Sequence, residues 1–506
     1  MIDMKYMLMK SIVVLAAMLI GMPSSFAESK LTAEQAENGK PIYEKLCIGC
    51  HGERGKGDGA AANFLRPRPR NFKIARYKFT YTMYGKLPKD STIFNAIAVG
   101  LPGTSMPGWE DTLTDDQIWD VVAYIKTLSR KFTRAEKKKR YPKPIEIVDV
   151  PKEWTGEDIK QGYELFKKNC VKCHGVTGLG SGSTAVALKH DLGDRIWPRN
   201  LTRGWVYRGG NEPKDIFRTI ATGITGTPMP AHLETMKPED IWKIVGFVNS
   251  IVKREPPRVS EVIISRYVEG GLPKRPTDKK WDELPLEYIP LVSQIVEGNR
   301  WFTTTLESIY VRSFYNNDYI SILVEYDDPS QSPLETPIEM FPENEPDSFA
   351  IQLPTIIPTG MEKPYFLNGD DDAPVNLWKW TNNTNGNGAD ALLGKGITNA
   401  VLMDESSQNI TVKSVYDNGR WKIMFTRKLK VGQESNLDFE VGKYIPIAFN
   451  AWDGNNGEKN EQRAISIWYW LLLDSPSSMN VYLFPLIIGL MIAGGEVWLI
   501  FKAKKG

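Results

Sequence analysis

Two Cys-x-x-Cys-His sequences constrain this chain most strongly, because a methionine follows each of them at the same distance. The first occupies residues 47–51 and the second residues 170–174, an offset of 123 residues (47 to 170). In both copies the methionine lies 55 residues after the histidine (51 to 106, and 174 to 229). The same offset superimposes further pairs: Gly100 on Gly223, Asp116 on Glu239, Ile118 on Ile241 and Trp119 on Trp242. The chain therefore contains an internal duplication.

The duplicated residue types are those that hold a haem covalently. Two cysteines one helical turn apart can form thioether bonds to the haem vinyl groups, and the adjacent histidine then reaches the iron. A distant methionine completes the axial pair, and His/Met ligation raises the reduction potential. We therefore predict two haem c groups, bound covalently by Cys47, Cys50, Cys170 and Cys173. The predicted axial ligands of the two irons are His51, Met106, His174 and Met229.

Six-coordinate iron at both sites predicts an electron carrier. Peroxidase or oxygen chemistry needs an iron with an open position, so a dihaem peroxidase is disfavoured. No catalytic residue is assigned, and the chain is predicted to be a non-catalytic subunit. The other two histidines, His190 and His232, are interpreted as surface residues or as residues that support the ligands.

Residues 31–130 and 154–253 each have the pattern of a small, all-α class I cytochrome c domain. A helix leads into each Cys-x-x-Cys-His sequence, and an amphipathic helix closes each domain. Tyr43 and Phe166 lie four residues before the first cysteine, a spacing that places both rings on the side of the helix that meets the haem. Residues 131–153 form a basic segment, interpreted as a solvated linker, with a docking surface for an acidic partner as the alternative.

The size and cysteine content limit what else the chain can contain. With 506 residues it should form about three domains. All four cysteines lie in the two haem-binding sequences, so neither a disulfide framework nor a cysteine zinc site remains. The net charge of +2 argues neither for nor against a nucleic-acid partner, and none is predicted.

Both ends of the chain have features of targeting to a membrane. Residues 1–27 contain two lysines, an apolar run and a small-x-small sequence, which predict a secretory signal peptide. Residues 481–501 carry a single charge, Glu496, and precede a basic tail, which predicts one transmembrane helix in the lipid bilayer. The expected location is the cell membrane, with a single pass, a cytoplasmic C-terminus and most of the protein on the periplasmic side.

Between the second cytochrome domain and the predicted helix, the pattern changes to short runs of β-branched and aromatic residues. Asp417-Asn418-Gly419 and residues 315–318 separate such runs in the way that β-hairpin turns do. These patterns predict an antiparallel β-sandwich over residues 285–475. Asp453-Gly454 and Asp370–Asp372 suggest a calcium loop, but their spacing matches no EF-hand, so they are interpreted as solvated turns.

Five stretches of this third domain resemble a known family. They are Glu325–Pro329, Phe349–Pro354, Lys363–Gly369, Pro374–Trp380 and Ile447–Gly454. They are similar to the haem b-binding gamma subunits of ethylbenzene dehydrogenase and its relatives in the type II dimethyl sulfoxide reductase group. The whole arrangement most resembles membrane-associated nitrite oxidoreductase gamma subunits. The resemblance implies a catalytic molybdenum alpha subunit and an iron–sulfur beta subunit as partners, with another cytochrome or membrane redox protein as the second exchange partner.

The resemblance also implies a haem b held by a methionine and a lysine. At the corresponding positions this chain has Asn368 and Arg463, neither of which is a suitable iron ligand. Met361 and Lys459 lie nearby and are the candidate substitutes. Two alternatives therefore stay open: a third domain that retains one haem b, and a tethered dihaem cytochrome whose β-sandwich is a ligand-binding or docking module without haem.

Overall fold

The structure is a computed structural model that falls into two units, which are described separately. The first unit ends at Glu146, and the second begins at Ile147. The described residues are 31–148, 150–339, 342–360, 362–383, 388–433, 435–475 and 480–503. The predicted signal peptide, residues 1–27, lies outside them.

The first unit is the first cytochrome domain, and it is helical as predicted. Its helices are α1 (Ala33–Leu46), α2 (Ile48–His51), α3 (Asp90–Ala98), α4 (Asp115–Thr127) and α5 (Arg130–Lys137). Thr32 and Thr114 begin α1 and α4 with reciprocal side-chain to backbone hydrogen bonds, which satisfy amide groups that the first helical turn leaves free. Helices α1 and α4 pack against each other, and Tyr43, Ile118 and Val122 are buried between the elements of this domain.

The second unit begins with a second cytochrome domain that repeats this arrangement. Its helices are α6 (Gly156–Asn169), α7 (Val171–His174), α8 (Pro213–Thr222) and α9 (Pro238–Ile251). Helix α6 packs against α9 as α1 packs against α4. Phe166 is buried, like Tyr43 in the first domain, which confirms the predicted equivalence of the two aromatic positions.

A glycine fixes the closest approach of the first and last helices in each domain. A Cβ atom at Gly39 would lie 2.0 Å from the carbonyl oxygen of Asp120, and one at Gly162 would lie 1.9 Å from that of Lys243. Real side chains cannot occupy such positions without moving the backbone. The helix crossing is therefore possible only because both positions lack a side chain.

The basic segment after the first domain is partly helical, which corrects its interpretation as a solvated linker. Helix α5 covers Arg130–Lys137, and Ser129 accepts a hydrogen bond from the Lys131 amide at its start. Phe132 is 1% exposed and packs in the core of the first domain. Composition indicated a charged linker, but one buried aromatic side chain is enough to anchor the first eight residues of it.

The third domain is built from a large sheet. Its strands are β1 (Val262–Tyr267), β2 (Glu287–Pro290), β3 (Val292–Ser293), β4 (Ser308–Tyr315), β5 (Tyr319–Asp327), β6 (Ser348–Pro354), β7 (Val375–Thr381), β8 (Ala389–Gly394), β9 (Ala400–Leu402), β10 (Thr411–Asp417), β11 (Arg420–Lys428), β12 (Tyr444–Trp452), β13 (Ala464–Ile465) and β14 (Tyr469–Leu473). Their order along the main path is β10-β11-β5-β4-β1-β14-β12-β6-β7-β8-β9. Strand β2 adds to β4, and β13 joins β12 to β3.

The sheet is mixed, whereas the sequence predicted an antiparallel one. Strand β1 is parallel to both of its neighbours, β4 and β14, and the other pairings among the described strands are antiparallel. The prediction failed because β1 lies before residue 285, the expected start of the domain, and pairs with a strand some 200 residues later along the chain. Local alternation does not reveal such a pairing.

One apolar core joins the two halves of the sheet. Trp380 of β7 and Trp421 of β11 are far apart in the strand order, yet their ring centroids are 4.8 Å apart in an edge-to-face contact. Tyr326 of β5 and Phe349 of β6 stack with centroids 5.6 Å apart. The sheet therefore folds over itself so that two layers share one core, which is the layering expected of a sandwich. Both predicted hairpins, β4–β5 and β10–β11, are present.

The C-terminal segment is a helix, but the predicted membrane span is not supported. Helix α10 runs over Asn480–Ala503. A search of the described residues found no helix with both the length and the apolar character needed to cross a membrane. Side chains of α10 are described only for residues 485–499, a shorter stretch than the roughly 20 apolar residues of a typical span.

The glycine at the helix crossing of the second cytochrome domain provides a direct test of this packing. Gly162→Ala should lower the free energy of unfolding by about 1–3 kcal/mol, the usual cost of overpacking, because the new methyl group meets the Lys243 carbonyl. Gly156→Ala is the matched control, since nothing lies within 4 Å of a Cβ atom at this helical position. Chemical denaturation would measure both, and equal stability of the two variants would contradict the packing described.

Candidate haem-binding sites

The first haem-binding sequence lies where α1 meets α2. Cys47 ends α1 and begins α2, so the two cysteines and His51 follow one another around a single turn. The Nδ1 atom of His51 lies 3.0 Å from the carbonyl oxygen of Arg70. Because a carbonyl oxygen only accepts hydrogen bonds, Nδ1 must donate, which leaves the Nε2 lone pair for a metal.

The second site repeats this geometry with a different partner residue. Cys170 ends α6 and begins α7, and the Nδ1 atom of His174 lies 3.1 Å from the carbonyl oxygen of Arg199. Burial lowers the pKa of both His51 and His174, so both rings are neutral and able to bind iron. The residues present therefore fit a haem iron in each domain.

The four cysteines are available for covalent attachment. All of them are free thiols, as predicted from their exclusive use in the haem-binding sequences. Burial, together with the neighbouring cysteine, raises the pKa of Cys47 to about 11 and that of Cys170 to about 12. These two thiols are therefore un-ionised at neutral pH.

The two methionine loops have the same internal hydrogen bonds. The amide of Met106 donates to the Thr104 hydroxyl, at 3.1 Å, and that hydroxyl donates to the Leu101 carbonyl, at 2.8 Å. In the second domain Met229, Thr227 and Ile224 form the same pattern, with distances of 3.3 and 2.8 Å. Each methionine is half-buried on a loop fixed by its own backbone. The loop geometry is thus duplicated with the sequence.

His190 supports the methionine loop of the second domain. It is 8% exposed, and its Nδ1 atom accepts a hydrogen bond from the Leu192 amide. The next residue, Asp191, donates its amide to the Gly226 carbonyl in the methionine loop, at 3.0 Å. Of the two interpretations from the sequence, a surface residue and a supporting residue, the structure agrees with the second. His232 is half-buried at the end of the same loop.

A polar interface fixes the second cytochrome domain to the sheet. Asp327, at the end of β5, accepts hydrogen bonds from Asn200 at 2.8 Å and Arg203 at 3.0 Å, both from the cytochrome domain. Arg420 of β11 binds the same carboxylate at 2.7 Å. Sequence analysis missed Asp327, because no local pattern distinguishes it from the other acidic residues at strand ends.

The turn of the β10–β11 hairpin makes a second contact with this cytochrome domain. The carbonyl oxygen of Asn418 accepts hydrogen bonds from the hydroxyl groups of Thr177 and Ser181, at 3.2 and 3.0 Å. Both hydroxyls lie within seven residues of His174 in the chain. The sheet domain therefore contacts the loop that directly follows the second haem-binding sequence.

The residues at the positions that correspond to the haem b ligands do not fit an iron between them. The guanidinium of Arg463 donates to the side-chain oxygen of Asn368 at 2.9 Å, and both residues are nearly fully buried. Two ligands on opposite sides of one iron are separated by two metal–ligand bonds of about 2 Å each. Arg463 also donates to Asn450, at 2.8 Å. Burial lowers its pKa to about 10, so it stays protonated at neutral pH and offers no lone pair.

The structure does not place the candidate substitutes together as ligands. Met361 lies outside the described residues. Lys459 is exposed and forms an ion pair with Glu345 at 2.9 Å, and this hydrogen bond raises the pKa of the lysine. A protonated ammonium cannot bind iron. Lys459 does line an open pocket, but Glu343 and Glu345 line it too, and their charge opposes the propionates of a haem.

Comparison with known families matches three parts of the chain. Residues 36–129 match the cytochrome c family, residues 157–248 match the family of subunit III of cbb3-type cytochrome c oxidase, and residues 390–464 match the ethylbenzene dehydrogenase family. The chain joins two cytochrome c domains to a gamma-like domain of the ethylbenzene dehydrogenase type. Covalent haem c is thus indicated for both helical domains, in agreement with the residues described above.

Individual relatives match smaller parts of the chain. A protein of Haloferax mediterranei named as a respiratory nitrate reductase haem subunit is 23% identical over 210 residues, which are 42% of this chain and 72% of that protein. The chlorate reductase subunit gamma of Ideonella dechloratans is 29% identical over 108 residues, 21% of this chain and 41% of that subunit. A chain of the Kuenenia stuttgartiensis reducing HAO-like protein complex is 35% identical, covering 44% of this chain and 98% of that chain, with a TM-score of 0.40.

The assigned methionine ligands can be tested one at a time. Met106→Ala and Met229→Ala should each leave both haems covalently attached and lower the midpoint potential of one haem, because a His/Met pair raises the potential. Met83→Ala and Met236→Ala are controls, since these half-buried methionines lie in the same two domains outside the Met-Pro loops. Spectroscopic redox titration gives the potentials. A ligand variant that titrates like the parent would show that its methionine does not bind iron.

The interface at Asp327 is expected to contribute strongly to the stability of the second unit. Asp327→Ala leaves Arg203, whose side chain is 9% exposed, without its closest partner, and removing one member of a buried pair typically costs about 3–5 kcal/mol. Asp474→Ala breaks an ion pair with Arg266 that is about half exposed, which should cost at most about 1 kcal/mol. Hydrogen exchange of residues 199–203 would report the difference. Similar exchange in both variants would show that Asp327 does not hold the domains together.

Proposed function

We propose that this chain is the exported electron-transfer subunit of a molybdenum oxidoreductase complex and has no catalytic residue of its own. The observation that carries the proposal is the duplicated His/Met arrangement, joined in one chain to a gamma-like domain. When bound, each haem accepts and returns one electron at its iron. Export is part of the proposal because bacteria attach haem to Cys-x-x-Cys-His sequences outside the cytoplasm.

The residues of the chain prepare each site for electron transfer by holding the ligands in place. The carbonyl groups of Arg70 and Arg199 fix the tautomer and orientation of the two histidines. The threonine-stabilised loops hold Met106 and Met229, so a weak thioether ligand needs little ordering when it binds. Rigid ligands on both sides of the iron keep its geometry similar in the two oxidation states, which favours electron transfer over ligand exchange.

In this proposal the sheet domain is a docking platform without haem b. The support is the direct hydrogen bond between Arg463 and Asn368, which fills the space that an iron would require. Electrons from a partner bound to the sheet domain would then enter the c-type sites directly. The second cytochrome domain is the nearer exchange site within its unit, because Asp327 and the Asn418 turn fix it to the sheet.

The relatives indicate the class of substrate that the complex would act on. One is named as a haem subunit of a respiratory nitrate reductase and another is a chlorate reductase subunit, and the domain arrangement resembles nitrite oxidoreductase gamma subunits. We therefore propose that the catalytic partner converts a small oxyanion such as nitrite or nitrate. The second exchange partner would be another cytochrome or a redox protein of the respiratory chain.

Affinity purification of the tagged full-length chain from its native host tests this proposal. We expect molybdenum and iron–sulfur subunits to co-purify, and the oxyanion couple to change the oxidation state of both c haems in the purified complex. A chain tagged in the same way but carrying Met229→Ala is the control, because it should still assemble while electron exchange slows. Recovery of the fully haem-loaded chain without any molybdenum-containing partner would contradict the proposal.

A further inference from the structure

Three buried aspartates meet at one end of the sheet domain. Asp328 directly follows β5, Asp347 directly precedes β6, and Asp453 directly follows β12. None of the three has any solvent-exposed surface. One carboxylate oxygen from each lies within 4.8 Å of the other two. Asp453 is therefore not in a solvated turn, as its Asp-Gly sequence had suggested, whereas Asp370–Asp372 are exposed as expected.

Backbone and side-chain donors hold two of these carboxylates in fixed positions. Asp347 accepts hydrogen bonds from the amides of Ser332 and Gly454, at 2.7 and 3.0 Å, and from the indole of Trp421 at 3.1 Å. Asp453 accepts from the Asn456 amide at 3.1 Å and from the hydroxyl of Thr305. Such donors favour the charged form of a carboxyl group and orient its remaining lone pairs.

Polar atoms without partners remain beside these carboxylates. Asp328 uses Oδ1 to accept the Ser330 amide at 3.0 Å, but its buried Oδ2 has no hydrogen-bond partner among the described residues. The same is true of the buried hydroxyl of Ser332, whose amide donates to Asp347. Unsatisfied buried oxygens are rare in folded proteins, and an ion that the coordinates do not contain is one of their usual causes.

The charge of the group requires compensation as well. Several charged carboxylates so close together in a buried site would be strongly destabilising without a counter-charge. Burial, together with repulsion from Asp453, raises the pKa of Asp347 well above its usual range, and burial with repulsion from Asp347 does the same for Asp328. A bound cation would remove this cost and satisfy the free oxygens at the same time.

We infer that Asp328, Asp347 and Asp453 bind a calcium ion. Calcium takes six to eight oxygen ligands at about 2.3–2.6 Å, so oxygens on opposite sides of the ion lie at most about 5 Å apart, in agreement with the 4.8 Å limit here. The donor set contains only oxygen, which disfavours zinc. Full burial disfavours magnesium, which usually keeps several of its water molecules.

The site lies next to a contact with the second cytochrome domain. The residues after Asp453 turn back at Asn455, and Arg195 of the cytochrome domain donates to the backbone and side-chain oxygens of Asn455. Arg195 also interacts electrostatically with Asp453. A cation on Asp453 would hold this loop in the form that Arg195 recognises. The ion thus has a structural role in positioning the second haem domain on the sheet.

Metal analysis of the full-length, haem-loaded protein is the first test. The covalent haems provide an internal standard, since the two haem-binding sequences give two irons per chain. We expect one calcium for every two irons after purification without chelators. Treatment with EGTA should remove the calcium and lower Tm, and added CaCl2, but not an equal concentration of MgCl2, should restore it. Protein without calcium whose Tm responds to neither EGTA nor CaCl2 would overturn the inference.

Variants locate the ion. Asp328→Asn keeps the oxygen that accepts the Ser330 amide but replaces the unpartnered oxygen with an amide nitrogen, so the calcium and the EGTA response should be lost. Asp371→Asn is the matched control: its side chain is 84% exposed, and it should retain both. If Asp328→Asn folds and keeps its calcium, or if Asp371→Asn loses it, the assigned site is wrong. The EGTA experiment on the parent protein decides the question even if Asp328→Asn does not fold.

Discussion

The contact between the first and last helices of each cytochrome domain is the constraint on which the rest of that domain depends. At Gly39 and Gly162 the helix backbones approach so closely that no side chain fits between them. This crossing sets the positions of Leu46 and Asn169, where the first helices end, and each haem-binding sequence starts at the next residue. The histidine and the methionine loop then follow at distances that the duplication preserves. A local steric condition, imposed twice, thus determines where both redox sites lie.

The third domain contains two buried polar groups that give it different roles from those of a simple scaffold. At one, Arg463 and Asn368 satisfy each other and occupy the position where related domains would hold iron. At the other, three aspartates leave oxygens unsatisfied and leave their charge without a buried counter-ion. The first arrangement is complete without a cofactor, and the second is incomplete without an ion. Both follow from the same rule, that buried polar groups need partners.

Much of the redox machinery was predictable because it depends on short motifs and on repetition. The haem-binding sequences, the aromatic positions and the closing helices all follow from spacing along one chain. The carbonyl partners of the histidines did not, because 19 residues separate His51 from Arg70 but 25 separate His174 from Arg199, so the duplication does not align them. The parallel pairing of β1, the interface at Asp327 and the aspartate group bring together residues that are distant in sequence. Their distances depend on tertiary packing, which local patterns do not contain.

The helix over Arg130–Lys137 shows how composition can mislead, since its charges predicted a solvated linker while Phe132 alone anchors it. The central claim is that two c-type sites, without haem b, carry the electrons. A pyridine haemochromogen spectrum of the purified full-length chain, with covalent and extractable haem counted separately, tests that claim most directly. The account predicts two covalent haems per chain and no extractable haem. One extractable haem b per chain would contradict it and show that the sheet domain binds iron despite the Arg463–Asn368 contact.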